Sequence, residues 1–420
     1  MIIEFALRVD ETEFGQAELI KRISDLRQSE VCRSPEGKRY AVLFRHPMDV
    51  LAAVTYLRKS HASVLLLHGD TPYETALGIA AKAGCIALLF GMPLQAVRLE
   101  GSSDEQSRAL EPALCQFSSG TTGEPKLIVR PWTDVELEIE SYNRRLAPSG
   151  GEPPLLFVPV SHSYGLIAGV MAGLARGASP HVVQLNNPKS ALRHIRENSD
   201  SIVYAVPFIY QLLESLSKGE VRYRKVVSSG APLTEALLER MKTRAGEVWQ
   251  QYGCSESGCI SLGSHPSAPE DTGQPLSHLS VALEEQDETR EIVVRAGARV
   301  IRTGDSGNLS REGRLHVLGR LDDLINVSGQ KVMPAEIEKV IGGMQGVKEV
   351  VVYGMRHPVW GEAVSAMIVA DGGVGKETIR EYCSRRLAGY KVPYEVRFVD
   401  EIPRPASGKI SRRFIRQREE

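Results

Sequence analysis

Phe117-Ser118-Ser119-Gly120-Thr121-Thr122-Gly123-Glu124-Pro125-Lys126 packs two glycines, four hydroxyl side chains and a lysine into ten residues. Glycines leave backbone N–H groups open to close approach, hydroxyls add neutral donors and the lysine adds a cation, a combination that suits a polyphosphate. A Ser/Thr/Gly-rich surface loop with nothing to hold has the same composition. Context favours the phosphate grip. Apolar Ala113, Leu114, Cys115 and Phe117 lead in and strand-like Leu127-Ile128-Val129 leads out, so the loop is slung between two buried strands. A Walker A loop is excluded, because Pro125 stands between Gly123 and Lys126 and β-branched residues follow where that motif opens a helix.

Upstream, short apolar runs alternate with helical patterns: Ala41-Val42-Leu43-Phe44, then Met48 to Arg58, Val64-Leu65-Leu66-Leu67, Thr75 to Ala83, and Ile86 to Phe90. Fully apolar strands separated by helices of this length predict a parallel sheet covered on both faces. Downstream the rhythm resumes with strands at Leu155 to Val158, Val182-Val183, Ile202 to Tyr204 and Lys225 to Val227. Helices start near Gly165, Ser190, Pro207 and Leu233. Ligands of such sheets bind beyond the carboxyl ends of the strands.

The next motifs fall at such ends. Ser229-Gly230-Ala231-Pro232 lies between a strand and a helix, where flat backbone suits a planar base, although an ordinary strand-to-helix turn reads the same way. Tyr252-Gly253-Cys254-Ser255-Glu256 places a stacking ring, a hydroxyl and a magnesium-capable carboxylate within one turn. Arg302-Thr303-Gly304-Asp305 sets a carboxylate at the predicted end of a strand, where both oxygens could accept from adjacent sugar hydroxyls or could close a turn.

From about Leu321 the pattern changes to a small α+β unit. Helices are expected at Pro334 to Ile341 and Lys376 to Leu387, and strands at Glu349 to Tyr353, Val364 to Val369 and Val396 to Val399. The tail Pro403-Arg404-Pro405-Ala406-Ser407-Gly408-Lys409-Ile410 carries a lysine framed by Ser-Gly and an isoleucine. The Arg412, Arg413, Arg416 and Arg418 cluster behind it reads as a solvated face.

The 420 residues allow two or three domains, and a net charge of −1 excludes general affinity for nucleic acid or anionic membrane. Six scattered cysteines without Cys-x-x-Cys spacing read as core residues of a reducing compartment. Met1-Ile2-Ile3-Glu4-Phe5 lacks a basic segment followed by an apolar run, and no stretch of about eighteen apolar residues occurs, so a cytoplasmic protein is expected.

Five motifs in this order, spread from Tyr40 to Arg413, resemble those of the adenylate-forming superfamily of acyl- and aryl-CoA synthetases, peptide-synthetase adenylation domains and luciferase. The resemblance implies a large N-terminal doubly wound α/β domain, 1–320, and a small mobile C-terminal α+β domain, 321–420. It implies ATP binding by Ser118, Ser119, Gly120, Thr121, Thr122, Gly123 and Lys126, by Gly230, Ala231 and Pro232, by Tyr252, Gly253 and Ser255, and by Asp305 and Arg320. Glu256 would hold Mg²⁺, Asp322 would be the hinge, and Lys409 would reach the substrate carboxylate and the α-phosphate. His162, Ser163, Gly230 and Gly253 would line the acid pocket, with His162 also beside the thiol path. The implied activity joins a small carboxylic acid to AMP, releases pyrophosphate, and passes the acyl group to a phosphopantetheinylated carrier protein or, alternatively, to CoA. A nucleotide-binding relative without turnover is the competing class. Val160 to Tyr164 offers no aspartate to pair an α-ammonium, so the expected substrate is an acid without an α-amino group. Compact aryl acid–AMP ligases that activate hydroxybenzoic acids for siderophore assembly are similar in size. The stretch ahead of the phosphate loop and the segment before Asp305 are shorter than is usual in the family.

Overall fold

The structure, a computed structural model, describes residues 6–99, 111–117, 126–146, 151–185, 188–286, 289–328, 330–404 and 410–419. The chain divides into two compact units. One comprises Met1–Ser229, Arg244–Leu262 and Leu276–Leu279, the other Gly230–Thr243, Gly263–Pro275 and Ser280–Glu420.

In the first unit, Arg39–Leu43 lies between Ser63–Leu66 and Ala87–Phe90, and Ala113–Phe117 follows Ser63–Leu66, all parallel. Antiparallel strands Gln95–Arg98 and Leu127–Pro131 close the two edges. Alternate residues feed different cores: Tyr40, Val42, Val64 and Leu66 pack on one side, Ala41, Leu43, Leu65 and Leu67 on the other. Successive strand side chains point to opposite faces, so burial of both faces is what makes these runs continuously apolar.

A second sheet in this unit orders Gly258–Ser264, Ala245–Cys254, Tyr223–Ser228, Ile202–Ala205, Pro154–Leu156, His181–Val182, Ala6–Val9 and Thr12–Gly15. Pairing is parallel from Ala245–Cys254 through Ala6–Val9. The last two strands form an antiparallel hairpin, followed by the helix Gln16–Gln28. No element was expected before Tyr40. These strands have four residues each, too few for their alternation to stand out.

The second unit holds an antiparallel sheet of Ser280–Gln286, Thr289–Ala296, Arg299–Leu309 and Leu315–Arg320. After it comes a five-stranded sheet ordered Gln330–Val332, Ile325–Val327, Gly361–Ala370 and Val347–His357, with Glu395–Phe398 also paired to Gly361–Ala370. Helices Pro334–Gly342 and Lys376–Ser384 bury Ile337, Ile341, Ile379 and Cys383 with Val352, Val364 and Ile368. The doubly wound α/β part and the smaller C-terminal α+β part therefore follow the expected classes.

Two local expectations are corrected. Asp305 lies inside the strand Arg299–Leu309 rather than at a strand end, because the chain passes through Gly304 at φ +68° and a register shift at Ser306/Gly307 without leaving the sheet. The tail arginines are not all solvated. Arg412 opens the helix Arg412–Glu419 and donates to Glu338 at 2.7 and 2.8 Å, to Asp323 at 2.7 Å and to the Val352 carbonyl at 2.8 Å. All six cysteines are free and five are buried. No described helix is long and apolar enough to cross a membrane.

Candidate active site

Ser118, Ser119, Gly120, Thr121, Thr122 and Gly123 lie outside the described residues, but the two strands that bracket them are placed. Phe117 pairs with Leu127, and Lys126 stands exposed at the start of the outgoing strand. Gln116, buried on the incoming strand, donates through Nε2 to the Ser161 carbonyl at 3.4 Å and accepts from the Ser163 hydroxyl. The turn carrying His162 and Ser163 is thereby tied to the strand that enters the loop.

That turn is tight. A Cβ on Gly165 would strike the Pro159 carbonyl, so only glycine lets the π-helical segment Tyr164–Met171 start this close to the strand-end backbone. The Tyr164 hydroxyl donates to the Val227 carbonyl at 2.6 Å. His162 itself is exposed, and its ring lies 6.1 Å from that of His68, which is also exposed. Sequence reasoning missed His68, although its position at the carboxyl end of the Ser63–Leu66 strand was a usable signal.

Tyr252 and Gly253 end the strand Ala245–Cys254, and Ser255 and Glu256 occupy the half-buried turn that follows. A Cβ on Gly253 would strike the Gly258 carbonyl, and Gly258 has φ +76°, so the two glycines close the hairpin. Within it the Cys254 thiol lies 3.2 Å from the Ser257 hydroxyl, and burial pushes its pKa up to about 11. A thiol raised that far stays protonated at neutral pH and is no nucleophile.

Beneath the turn, Arg130 and Glu138 form a buried ion pair, and the second carboxylate oxygen of Glu138 accepts the Cys259 N–H at 2.8 Å. Sequence reasoning found neither residue. Gly230, at φ +88°, and Ala231 and Pro232 are exposed beyond the strand Tyr223–Ser228. That strand runs parallel to Ala245–Cys254, with Ser228 opposite Gln250.

In the second unit Asp305 and Arg320 face each other across neighbouring antiparallel strands. Arg320 reaches Asp305 Oδ1 at 3.3 Å, donates to the Thr303 carbonyl at 3.0 Å, and contacts Asp322 at 3.0 and 3.4 Å. One guanidinium thus joins the two sequence-predicted ribose residues to the predicted hinge. Lys409 lies outside the described residues.

The chain belongs to the AMP-binding enzyme family: residues 41–306 match that family and residues 336–409 match the AMP-binding enzyme C-terminal domain. A 3,4-dihydroxybenzoate–[aryl-carrier protein] ligase of Bacillus anthracis is 41% identical over 410 residues, spanning 97% of this chain and 98% of that protein. A 2-succinylbenzoate–CoA ligase of the same species (strain A0248) is 26% identical over 91% of this chain and 88% of that protein. Among solved structures, ATP-bound MatB from Rhodopseudomonas palustris superposes with a TM-score of 0.83 at 19% identity, covering 100% of this chain and 96% of that one. O-succinylbenzoate coenzyme A synthetase from Bacillus subtilis, in complex with ATP and magnesium ion, gives 0.80 at 24% identity, over 98% and 96%. The last two likenesses establish the shared fold.

Proposed function

We propose that this protein activates 3,4-dihydroxybenzoate, or a closely related hydroxybenzoic acid, as its acyl-adenylate with release of pyrophosphate, and then passes the aryl group to the phosphopantetheine thiol of an aryl carrier protein. The observation that carries this reading is the 41% identity, end to end, with a ligase of that acid and acceptor. It agrees with the absence of a carboxylate in Val160 to Tyr164, where an α-ammonium would need one.

The chemistry of the residue types supports this reading. The glycine-closed turn at 253–258 carries Ser255 and Glu256 next to Tyr252, a hydroxyl, a carboxylate and a ring suited to a magnesium nucleotide. Glu256 would hold Mg²⁺, which supplies positive charge to the phosphate oxygens. Asp305 would accept from the ribose hydroxyls, with Arg320 fixing its orientation, and His162 and Ser163 would border the acid. Lys409 would bring a cation to the point where carboxylate meets α-phosphorus, two anions that otherwise repel. We also propose that 1–320 and 321–420 act as two domains pivoting at Asp322, which lets Lys409 withdraw before the thiol arrives.

The test is acid-dependent ATP–pyrophosphate exchange over benzoic, hydroxybenzoic, aliphatic and amino acids, followed by acyl transfer to carrier protein or CoA. Transfer to CoA alone would favour the second reading, an aryl-CoA ligase, which the 2-succinylbenzoate–CoA ligase relative supports at lower identity. Lys409→Ala should lower exchange by roughly 10²–10³-fold. It should largely spare thioester formation from supplied aryl-adenylate, and equal loss in both half-reactions would contradict the assigned role.

A further inference from the structure

We infer that the two strands bracketing the phosphate loop each carry a buried polar clamp that fixes a different ligand turn: Gln116 positions the 161–163 turn for the acid, and the Arg130–Glu138 pair positions the 252–258 turn for the nucleotide. The inference rests on the reading of the site as an ATP-dependent acid-activating centre.

The strands Ala113–Phe117 and Leu127–Pro131 are short, and their inward positions should be apolar. Each instead buries one polar side chain, Gln116 and Arg130. An arginine removed from water is costly unless paired, and an apolar pair of similar volume usually serves stability as well or better. The role of Arg130 is therefore better sought in geometry than in stability.

Glu138 divides its two oxygens. One meets the Arg130 guanidinium and the other takes the Cys259 N–H, so the carboxylate joins the outgoing strand of the phosphate loop to the returning strand of the nucleotide turn. Contact between turn and pair is direct. A Cβ on Gly258 would strike Glu138 Oε2 and come within 2.5 and 2.6 Å of the Arg130 terminal nitrogens. Among the described residues, Nε and Nη1 of Arg130 have no hydrogen-bond partner, so the ion pair and the packing of this turn alone hold the guanidinium.

Gln116 does the corresponding work on the incoming strand. Its amide gives a hydrogen bond to the Ser161 carbonyl and takes one from the Ser163 hydroxyl, spanning both sides of His162. Misplacing such groups by about 1 Å can cost up to about a hundredfold in rate.

The two clamps make crossed predictions, which a merely structural role does not. Exchange kinetics with 3,4-dihydroxybenzoate, and thermal unfolding, are to be measured for wild type, Gln116→Leu, Arg130→Lys and the paired replacement Arg130→Met with Glu138→Gln, in which the amide still accepts from the Cys259 N–H. The paired replacement should unfold close to the wild-type temperature yet raise the KM for ATP about tenfold, with the acid KM changed less than about twofold. Gln116→Leu should do the reverse, raising the acid KM and sparing that for ATP. Arg130→Lys keeps a buried cation for Glu138 and loses the planar guanidinium, so it gives an intermediate rise in the ATP KM and serves if the paired protein fails to fold. Parallel changes in both KM values, or no change in either, would overturn the clamps. A wild type that gives no exchange with any acid would instead overturn the functional reading on which they rest.

Discussion

Two arginine–carboxylate arrangements, one in each unit, use the same chemistry in opposite surroundings. The Arg130–Glu138 side chains are 1% and 2% exposed, whereas Arg320 is 39% exposed and its partners Asp305 and Asp322 are 10% and 38% exposed. Deep burial strengthens Coulomb attraction and leaves neither charge an alternative partner, so the first pair holds the backbone packed around it. Arg320 and Asp322 are half-exposed, so their charges are screened and exchange partners at little cost, which suits the proposed ribose contact and hinge.

The contrast breaks most sharply if the buried pair is cut on one side. Arg130→Ala leaves Glu138 charged without its cation and should destabilise the first unit by about 3–5 kcal/mol in urea unfolding. A loss below about 1 kcal/mol would mean that water already reaches the pair.

Burial in the first unit also imposes a pH dependence. His181 is held down to a pKa of about 4, chiefly by burial, against an ordinary value of 6.5. As pH falls below 6.5 the unfolded chain takes a proton that the folded chain refuses, so stability drops between about pH 6.5 and 4 and levels off below. This one group contributes up to about 3 kcal/mol. His181→Gln should flatten that part of the stability–pH curve, and an unchanged slope would assign it to other groups.

In the second unit the expected effects move from stability to binding. Asp305→Ala removes a charged acceptor from the proposed ribose contact, an interaction of about 1.5–3 kcal/mol, and should raise the KM for ATP with little change in unfolding. A normal KM would return Asp305 to a purely structural place in its strand. Asp322→Asn should be the mildest, below about 1 kcal/mol in stability and smaller still in high salt. A larger loss would show that the Arg320 network is as fixed as the buried pair.

The same contrast marks what the sequence could tell. Strands such as Ser63–Leu66 are legible because burial on both faces leaves a continuous apolar run, and the Tyr252 to Glu256 stretch stands out as a candidate because its residue types suit the proposed chemistry. Arg130 and Glu138 are not, since their meaning depends on Cys259, 121 residues beyond Glu138. Gln116 takes its meaning from Ser161 and Ser163, 45 and 47 residues further along the chain. Arg412 read as part of a solvated basic run because its partners, Glu338 and Asp323, lie 74 and 89 residues away. Asp305 was expected at a strand end because Gly304 resembles a turn residue, and only the sheet pairing shows the strand continuing. Local pattern reports secondary structure and ligand chemistry; the polar contacts that hold one ligand segment against another are tertiary and leave no local pattern.

The most direct test of the account is ATP–pyrophosphate exchange by the intact protein with 3,4-dihydroxybenzoate as the acid, Mg²⁺ present, and benzoate, an aliphatic acid and an amino acid in parallel. Exchange should depend on the acid, be strongest with 3,4-dihydroxybenzoate or a close hydroxybenzoate, and be followed by loading of an aryl carrier protein. Exchange strongest with an aliphatic or amino acid, or none with any acid, would contradict it.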